Sequence, residues 1–209
     1  MEAAVDDRKD HWETVYTTKS ATAVSWYQAD PGRSLELIRG ASPDLRASVI
    51  DVGGGASVLV DRLLADGFQD LSVLDISGAA LESARHRLGG DAARVSWIVA
   101  DITQWTPTRT WNIWHDRAVF HFLTDPEQQK KYIAALEAAI PSGGTVIMAT
   151  FALDGPEKCS GLPVQRYSPA SLAQRLGPNF SLIDESSESH VTPWGSEQKF
   201  SYAVLSKVS

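Results

Sequence analysis

Val49-Ile50-Asp51-Val52-Gly53-Gly54-Gly55-Ala56-Ser57 is the stretch on which the reading of this chain turns. A short apolar run ends in an acid and then breaks into three glycines. That is the pattern of a buried parallel strand turning sharply into a helix. Glycine there permits positive φ and lets the backbone approach a ligand closely. The helix that follows offers unpaired N–H groups at its start. An ordinary glycine-rich strand-to-helix turn has the same pattern, so the spacing has to identify the ligand. The dinucleotide fingerprint G-x-G-x-x-G places its third glycine where this chain has Val58, and no G-K-[ST] of a P-loop follows. What remains is an acid–x–Gly–x–Gly loop, suited to a nucleotide-like ligand whose nearby end is cationic or neutral rather than a polyphosphate.

Working outward, strand-like and helix-like segments alternate. Residues 7–17 read as a short helix, and Pro31 opens a second one through Ile38. A strand is expected at 47–52 and a helix at 57–67. The strand 71–75 precedes a helix capped by Ser77 and stopped near Leu88 by Gly89-Gly90. Strands follow at 95–99 and 111–114. Asp125-Pro126-Glu127, an N-cap, a proline and an early acid, starts a helix to Ile140. A fifth strand spans 145–151. Such alternation implies a parallel sheet with helices on both faces. The last sixty residues differ: a loop over 152–167, a helix near 169–176, and β-like segments at 180–184 and 198–206 with no helix between them. Those two segments are expected to pair antiparallel.

The 209 residues fit a single domain large enough for a three-layer core. A formal charge of −7 predicts no broad basic surface, which argues against nucleic acid as the main partner. One cysteine, Cys159, rules out an internal disulfide and a Cys-based zinc site, and no metal is expected. The acidic opening Met1–Asp7 is unlike a signal peptide, and the apolar runs are strand-sized, so cytoplasmic residence without membrane insertion is the expectation.

Ligands of open α/β sheets bind outside the carboxyl ends of the strands. Asp51, Asp75 and Asp101 each stand at or just past such an end. Asp75 falls about twenty residues after the glycine loop, where an acid accepts hydrogen bonds from ribose hydroxyls. Asp101 is placed to accept from an adenine amine, with the Ile102 N–H toward a ring nitrogen and Ile76 and Ile102 against the adenine faces. One such acid would be a solvated loop residue or a helix cap; three in consecutive strand–helix units favour a site.

With these pieces in order, the chain resembles the class I S-adenosylmethionine-dependent methyltransferases. The resemblance rests on Asp51-Val52-Gly53-Gly54-Gly55, Leu74-Asp75-Ile76-Ser77, Val99-Ala100-Asp101-Ile102 and Pro141-Ser142-Gly143-Gly144, and covers roughly residues 47–151. The family's usual third loop glycine falls at Ser57, which can instead cap the helix that follows. The resemblance implies a Rossmann-like three-layer α/β sandwich, with a mostly parallel seven-stranded sheet closed by an antiparallel C-terminal strand. It divides the domain into an N-terminal helical lid (1–44), a cofactor-binding core (45–151), and an acceptor loop with the last strands (152–209). It assigns Asp51 and the backbone at Gly53, Gly54 and Gly55 to the amino-acid end of S-adenosylmethionine, Asp75 to the ribose, and Asp101 and Ile102 to the adenine. His115 and Asp116 would stand beside the sulfonium, with the Asp116 backbone near the cofactor's amine.

Trp114-His115-Asp116-Arg117-Ala118-Val119-Phe120-His121-Phe122-Leu123 is the expected methyl-transfer segment. His121 and Asp116 are its catalytic candidates; His121 resembles the histidine of a Leu-His-x-Leu pattern and could act as a general base. A histidine packed among Phe120, Phe122 and Leu123 for structural reasons is the competing reading. The loop around Cys159 and the segment His190–Gly195 would rim the acceptor pocket, making Cys159, His190 and Trp194 substrate candidates. Arg117 and Arg166 could bind an acidic acceptor, or form surface ion pairs. Trp12 and Tyr16 lie four apart on one helix face. With Trp26 they resemble the aromatic lid of thiopurine-type and some protein-lysine methyltransferases, against the alternative of a helix burying its aromatics in the core.

The expected activity is methyl transfer from S-adenosylmethionine to a nucleophilic N, O or S of a small molecule, by a monomer or homodimer. A protein-lysine methyltransferase is the alternative. A cofactor-binding module without catalysis is a further one, and a nicotinamide-dependent oxidoreductase is disfavoured by the missing third glycine.

Overall fold

A computed structural model of the chain describes residues 3–208, with residues 3–7 described by backbone alone, so the side chains of Met1–Asp7 lie outside the described residues. In chain order the elements are α1 (Ala3–Thr18), α2 (Gly32–Ala41), β1 (Val49–Val52), α3 (Leu59–Asp66), β2 (Leu71–Asp75), α4 (Gly78–Leu88), β3 (Val95–Val99), β4 (Ile113–Arg117), α5 (Pro126–Ala139), β5 (Thr145–Phe151), the short pair β6 (Lys158–Cys159) and β7 (Leu162–Pro163), α6 (Pro169–Leu176), β8 (Phe180–Val191) and β9 (Glu197–Lys207). The main sheet has seven strands in the order β3-β2-β1-β4-β5-β9-β8. The first five run parallel, and β9 inserts antiparallel between β5 and β8.

Each face of the sheet carries its own apolar layer. Val49, Leu71 and Val73 pack with Leu35, Ile38, Leu59 and Leu63 on one side. Ile50, Val52, Val146 and Met148 pack with Tyr132, Leu136, Leu172 and Leu176 on the other. Burial on both faces is why β1, β2 and β5 are dominated by apolar residues. The helix starts use the chemistry their sequences spell. The Ser77 side chain accepts from Ala80 N–H, the Asp125 carboxylate accepts from Glu127 N–H with Pro126 behind it, and Ser168 forms a capping box with Ser171.

Three boundaries differ from the sequence expectation. The fourth strand runs 113–117, not 111–114. Trp111 precedes the ladder and is apolar because its ring is buried, with its Nε1–H donated to Ser72 Oγ at 3.0 Å. His115 and Asp116 therefore sit inside a buried strand, tolerated there because both side chains are partnered. The eighth strand continues through Val191. Its second half, Asp184–Val191, is polar because β8 is the edge of the sheet, and it puts His190 in a strand rather than in a connection. The loop over 152–167 contains the β6–β7 hairpin.

After β3 the chain returns to the other side of β1 to lay down β4, so the carboxyl ends of β1 and β4 flank the point where strand order reverses. A crevice opens there.

Candidate functional site

The turn after β1 is built as its glycines require. Gly53 and Gly55 have φ of +70° and +48°. A Cβ on Gly53 would fall 1.9 Å from Val119 Cγ2, and one on Gly54 would fall 2.5 Å from Asp51 Oδ2. A Cβ on Gly55 would come within 2.8 Å of the Tyr16 hydroxyl and 3.1 Å of Asp75 Oδ2. The loop is held against its neighbours by Gly53 N–H donating to Leu74 O at 2.6 Å. Ser57 Oγ accepts from Leu59 N–H at 3.1 Å at the start of α3. Arg87, on α4, donates to the carbonyls of Ala56 and Ser57 and pairs with Asp61.

Above this turn lies a cleft that is partly open to solvent. Gly53, Asp75, Ile76, Asp101 and Ile102 line its inner wall. Asp75 is buried; it accepts from Ser77 N–H at 2.8 Å, and burial pushes its carboxyl up to about 7 against the pull of that bond. Asp101 Oδ1 accepts from both the amide and the hydroxyl of Thr103, each at 2.8 Å.

The outer wall is aromatic and comes from the N-terminal segment and the turn after β4. Trp12 packs edge-on to Trp26 (5.5 Å between ring centroids) and to Phe122 (5.0 Å). Trp26 donates its indole N–H to the Tyr16 hydroxyl at 3.2 Å. Tyr16 is enclosed, and burial drives its phenol far above its ordinary range. Cys159 lines the same wall, with burial pushing its thiol up to about 11, so it stays protonated at neutral pH.

Tyr16, Trp26, Gly53 and Arg117 also line an adjoining hollow, together with Asp51, Gly54 and His115. In that hollow His115 Nδ1 is 2.7 Å from Asp51 Oδ1, and His115 Nε2 is 2.9 Å from Ser34 Oγ. His115 therefore faces the floor under the glycine loop, hydrogen-bonded at both ring nitrogens, and is absent from the cleft wall formed by Phe122 and Cys159.

Several expected site residues do other work. The Asp116 carboxylate is fully buried and accepts from Val119 N–H (2.8 Å), Phe120 N–H (3.1 Å) and the Tyr132 hydroxyl (2.5 Å). Burial raises it to about 6. It fastens the turn after β4 and is absent from the cleft lining. His121 is 0% exposed, packed between Phe122 and Phe151, and burial lowers its imidazole to about 3. Its Nδ1 accepts from Phe151 N–H at 3.4 Å, and the ring is absent from the cleft lining. An enclosed imidazole is poorly placed to collect a proton from an acceptor. Arg166 is turned to Gly155 O and Glu157. His190 bonds Ser25 O at 2.6 Å behind the lid, and Trp194 is 61% exposed on the β8–β9 turn. None of these three lines the cleft. Arg117 does, but its charge is already engaged: it pairs with Glu188 at 3.3 Å, bonds the Tyr202 hydroxyl, and stacks on Phe200.

Two lid residues escaped the sequence reading. Glu13 accepts from Ser77 Oγ at 2.7 Å and from Ala79 N–H at 3.2 Å, so α1 supplies an acid to the N-terminus of α4. Arg8 reaches Asp101 Oδ2 at 3.1 Å. On sequence alone both are ordinary polar residues of a solvated helix face.

Residues 49–144 match the family described as a methyltransferase domain. This part of the chain is similar to methyltransferase domains. Its sheet has the Rossmann-like class I methyltransferase topology. The fold is shared by the N-methyltransferase NodS of Bradyrhizobium japonicum, solved with S-adenosyl-L-homocysteine. That likeness has a TM-score of 0.69 at 16% identity, over 95% of this chain and 99% of that one. It is also shared by the 1,6-didemethyltoxoflavin-N1-methyltransferase of Burkholderia thailandensis, solved with its substrate and S-adenosylhomocysteine. There the TM-score is 0.70 at 16% identity, over 100% of this chain and 89% of that one. Among curated proteins, the chain is 27% identical over 192 residues to the mouse eEF1A lysine and N-terminal methyltransferase, and 27% identical over 158 residues to a malonyl-[acyl-carrier protein] O-methyltransferase of Anoxybacillus flavithermus. It spans 27% of the mouse protein's length and 58% of the bacterial one's. Among the described residues, no helix is long and apolar enough to cross a membrane, and no cluster of His, Cys, Asp or Glu could hold a metal.

Proposed function

We propose that this chain transfers the methyl group of S-adenosylmethionine to a nucleophilic atom of a small molecule. The observation that carries the proposal is the common wall formed by the glycine turn, Asp75 and Asp101, which offers two separated carboxylates along one cleft. The residues present fit the cofactor. Gly53 lines the cleft, and a Cβ there would fall on Val119, so this part of the wall is bare backbone. Asp75, raised by burial, is restored to its charged state when hydroxyl donors reach it. Ile76 and Ile102 flank the space between the two acids. When bound, S-adenosylmethionine supplies an activated methyl on a cationic sulfur.

The chain's own contribution is enclosure and orientation. Trp12, Tyr16, Trp26 and Phe122 line the cleft with aromatic rings, which exclude water and suit a cation. Among the described residues, no imidazole or carboxylate with a free basic atom lines the outer wall: Asp116, His115 and His121 are committed as described. The acceptor therefore arrives with its lone pair already free, as a neutral ring nitrogen, an acidic thiol or a similar group does. A lysine ammonium would have to lose its proton with no described residue placed to take it, and this favours a small nucleophile over a protein lysine.

Calorimetry with S-adenosylhomocysteine, followed by label transfer to a panel of small N, O and S nucleophiles and to a cell lysate, tests this. Binding with label in small molecules supports it. No binding refutes the cofactor assignment, and label in protein bands alone refutes the acceptor class.

A further inference from the structure

We propose that His115 is a positioning residue of the cofactor site: braced by Ser34, it fixes the Asp51 carboxylate to receive the amine of the cofactor's amino-acid end. This rests on the reading of the cleft as an S-adenosylmethionine site. His115 stands directly opposite Asp51 on the neighbouring parallel strand. Two residues along from Val49, Asp51 shares its face of the sheet, the one packed against Leu35 and Ile38 of α2. His115 Nδ1 is 2.7 Å from Asp51 Oδ1. Ser34, in the first turn of α2, places its Oγ 2.9 Å from His115 Nε2. All three residues are buried. An imidazole held at both nitrogens cannot swing without breaking both bonds. With Ser34 donating to Nε2, the ring carries its proton on Nδ1 and donates it to Asp51, which favours the charged carboxylate.

Packing does not account for this trio. The layer around it is apolar, and a buried polar cluster replaced by apolar side chains of similar volume is often neutral or stabilising. What the trio supplies is a carboxylate with one oxygen committed and the other placed against Gly54. Among the described residues, Asp51 is the one acid that lines the hollow. The cation there, Arg117, is paired with Glu188. Gly53 lines both the hollow and the cleft that contains Asp75 and Asp101. A ligand laid along those two acids and continuing past Gly53 therefore ends beside Asp51. An adenosine that fills the cleft leaves the amino-acid end of the cofactor for the hollow, where its ammonium meets the uncompensated acid.

The test is calorimetry with S-adenosylhomocysteine and with 5′-methylthioadenosine, an adenosine thioether without the amino-acid end, with thermal melting of each apo-protein to confirm folding. Wild type is expected to prefer S-adenosylhomocysteine. His115→Leu should weaken that ligand by about 10-fold, the effect of one hydrogen bond to a charged group, and leave 5′-methylthioadenosine unchanged. His115→Asn keeps an N–H donor near the place of Nδ1 and should restore the preference. With Asp51→Asn already in place, His115→Leu should add nothing, because it acts through Asp51. Ser34→Ala leaves the ring contact to Asp51 but removes its brace, and should weaken S-adenosylhomocysteine alone by about threefold; it decides the matter if His115→Leu does not fold. Equal weakening of both ligands makes the trio a general support of the fold and overturns the inference. Unchanged or tighter binding of S-adenosylhomocysteine by the folded variants overturns it too. A wild type that binds both ligands equally refutes recognition of the amino-acid end, and one that binds neither refutes the cofactor reading itself.

Discussion

Replacing Asp75 by asparagine should move stability and cofactor affinity in opposite directions. The carboxyl is buried and raised from 3.8 to about 7, so ionising it inside the fold costs up to the order of 4 kcal/mol. A raised carboxyl binds its proton more tightly folded than unfolded. Its effect is therefore absent below about pH 4, grows as a loss of stability between about pH 4 and 7, and is constant above that. Asparagine removes the charge and keeps an oxygen for Ser77 N–H. Asp75→Asn should therefore melt like wild type at pH 4 and higher than wild type at pH 8. Asp116, which shifts the same way, cancels in this difference. In the proposed ribose role of Asp75, the same substitution removes a charged acceptor from two ribose hydroxyls. At about 1.5 kcal/mol for each charged hydrogen bond the loss is roughly 3 kcal/mol, about 100-fold in the Kd for S-adenosylhomocysteine. Melting curves at the two pH values and calorimetry at pH 8 read both quantities. A variant no more stable than wild type at pH 8, or one that binds within about threefold of it, would refute the reasoning.

Tyr132→Phe deletes the hydroxyl that joins Trp114 Nε1 to Asp116. Two buried groups lose a partner, so the fold should weaken by about 2–4 kcal/mol by denaturant titration; a change under about 0.5 kcal/mol would show that the hydroxyl is dispensable. Gly53→Ala drives a Cβ into Val119 at a φ of +70° and should abolish S-adenosylhomocysteine binding. Gly32→Ala, with open space around it, should bind normally, and parallel behaviour of the two would argue against a steric cause.

The parallel core is legible in the chain because strands buried on both faces are dominated by apolar residues, and because caps such as Ser77 and Asp125 act over three or four residues. The places of Asp75 and Asp101 follow from the same local logic, since each ends a run of that kind. What sequence cannot display is partnership at long range. Asp116 and His121 look catalytic as unpaired letters, and neither letter shows that Tyr132 and Phe151 hydrogen-bond them inside the core. Arg8 and Glu13 have the reverse history, ordinary in their helix and bound to the cleft across 93 and 64 residues. The polar half of β8 reads as a loop because alternation fails on an edge strand.

That half-strand sets the order in which the molecule can be completed. His190 holds Ser25 O, and Glu188 holds Gln28 and, through Arg117, Trp26 O, across as many as 165 residues. Residues 25–28 are therefore synthesised well before their anchor, which lies 160 residues or more further along the chain. The cleft's roof therefore waits on closure of the β8–β9 hairpin, the slow kind of contact in folding. During refolding, native-like circular dichroism from the parallel core should precede competence to bind S-adenosylhomocysteine, and a chain shortened before β8 should keep its glycine turn and lose its lid.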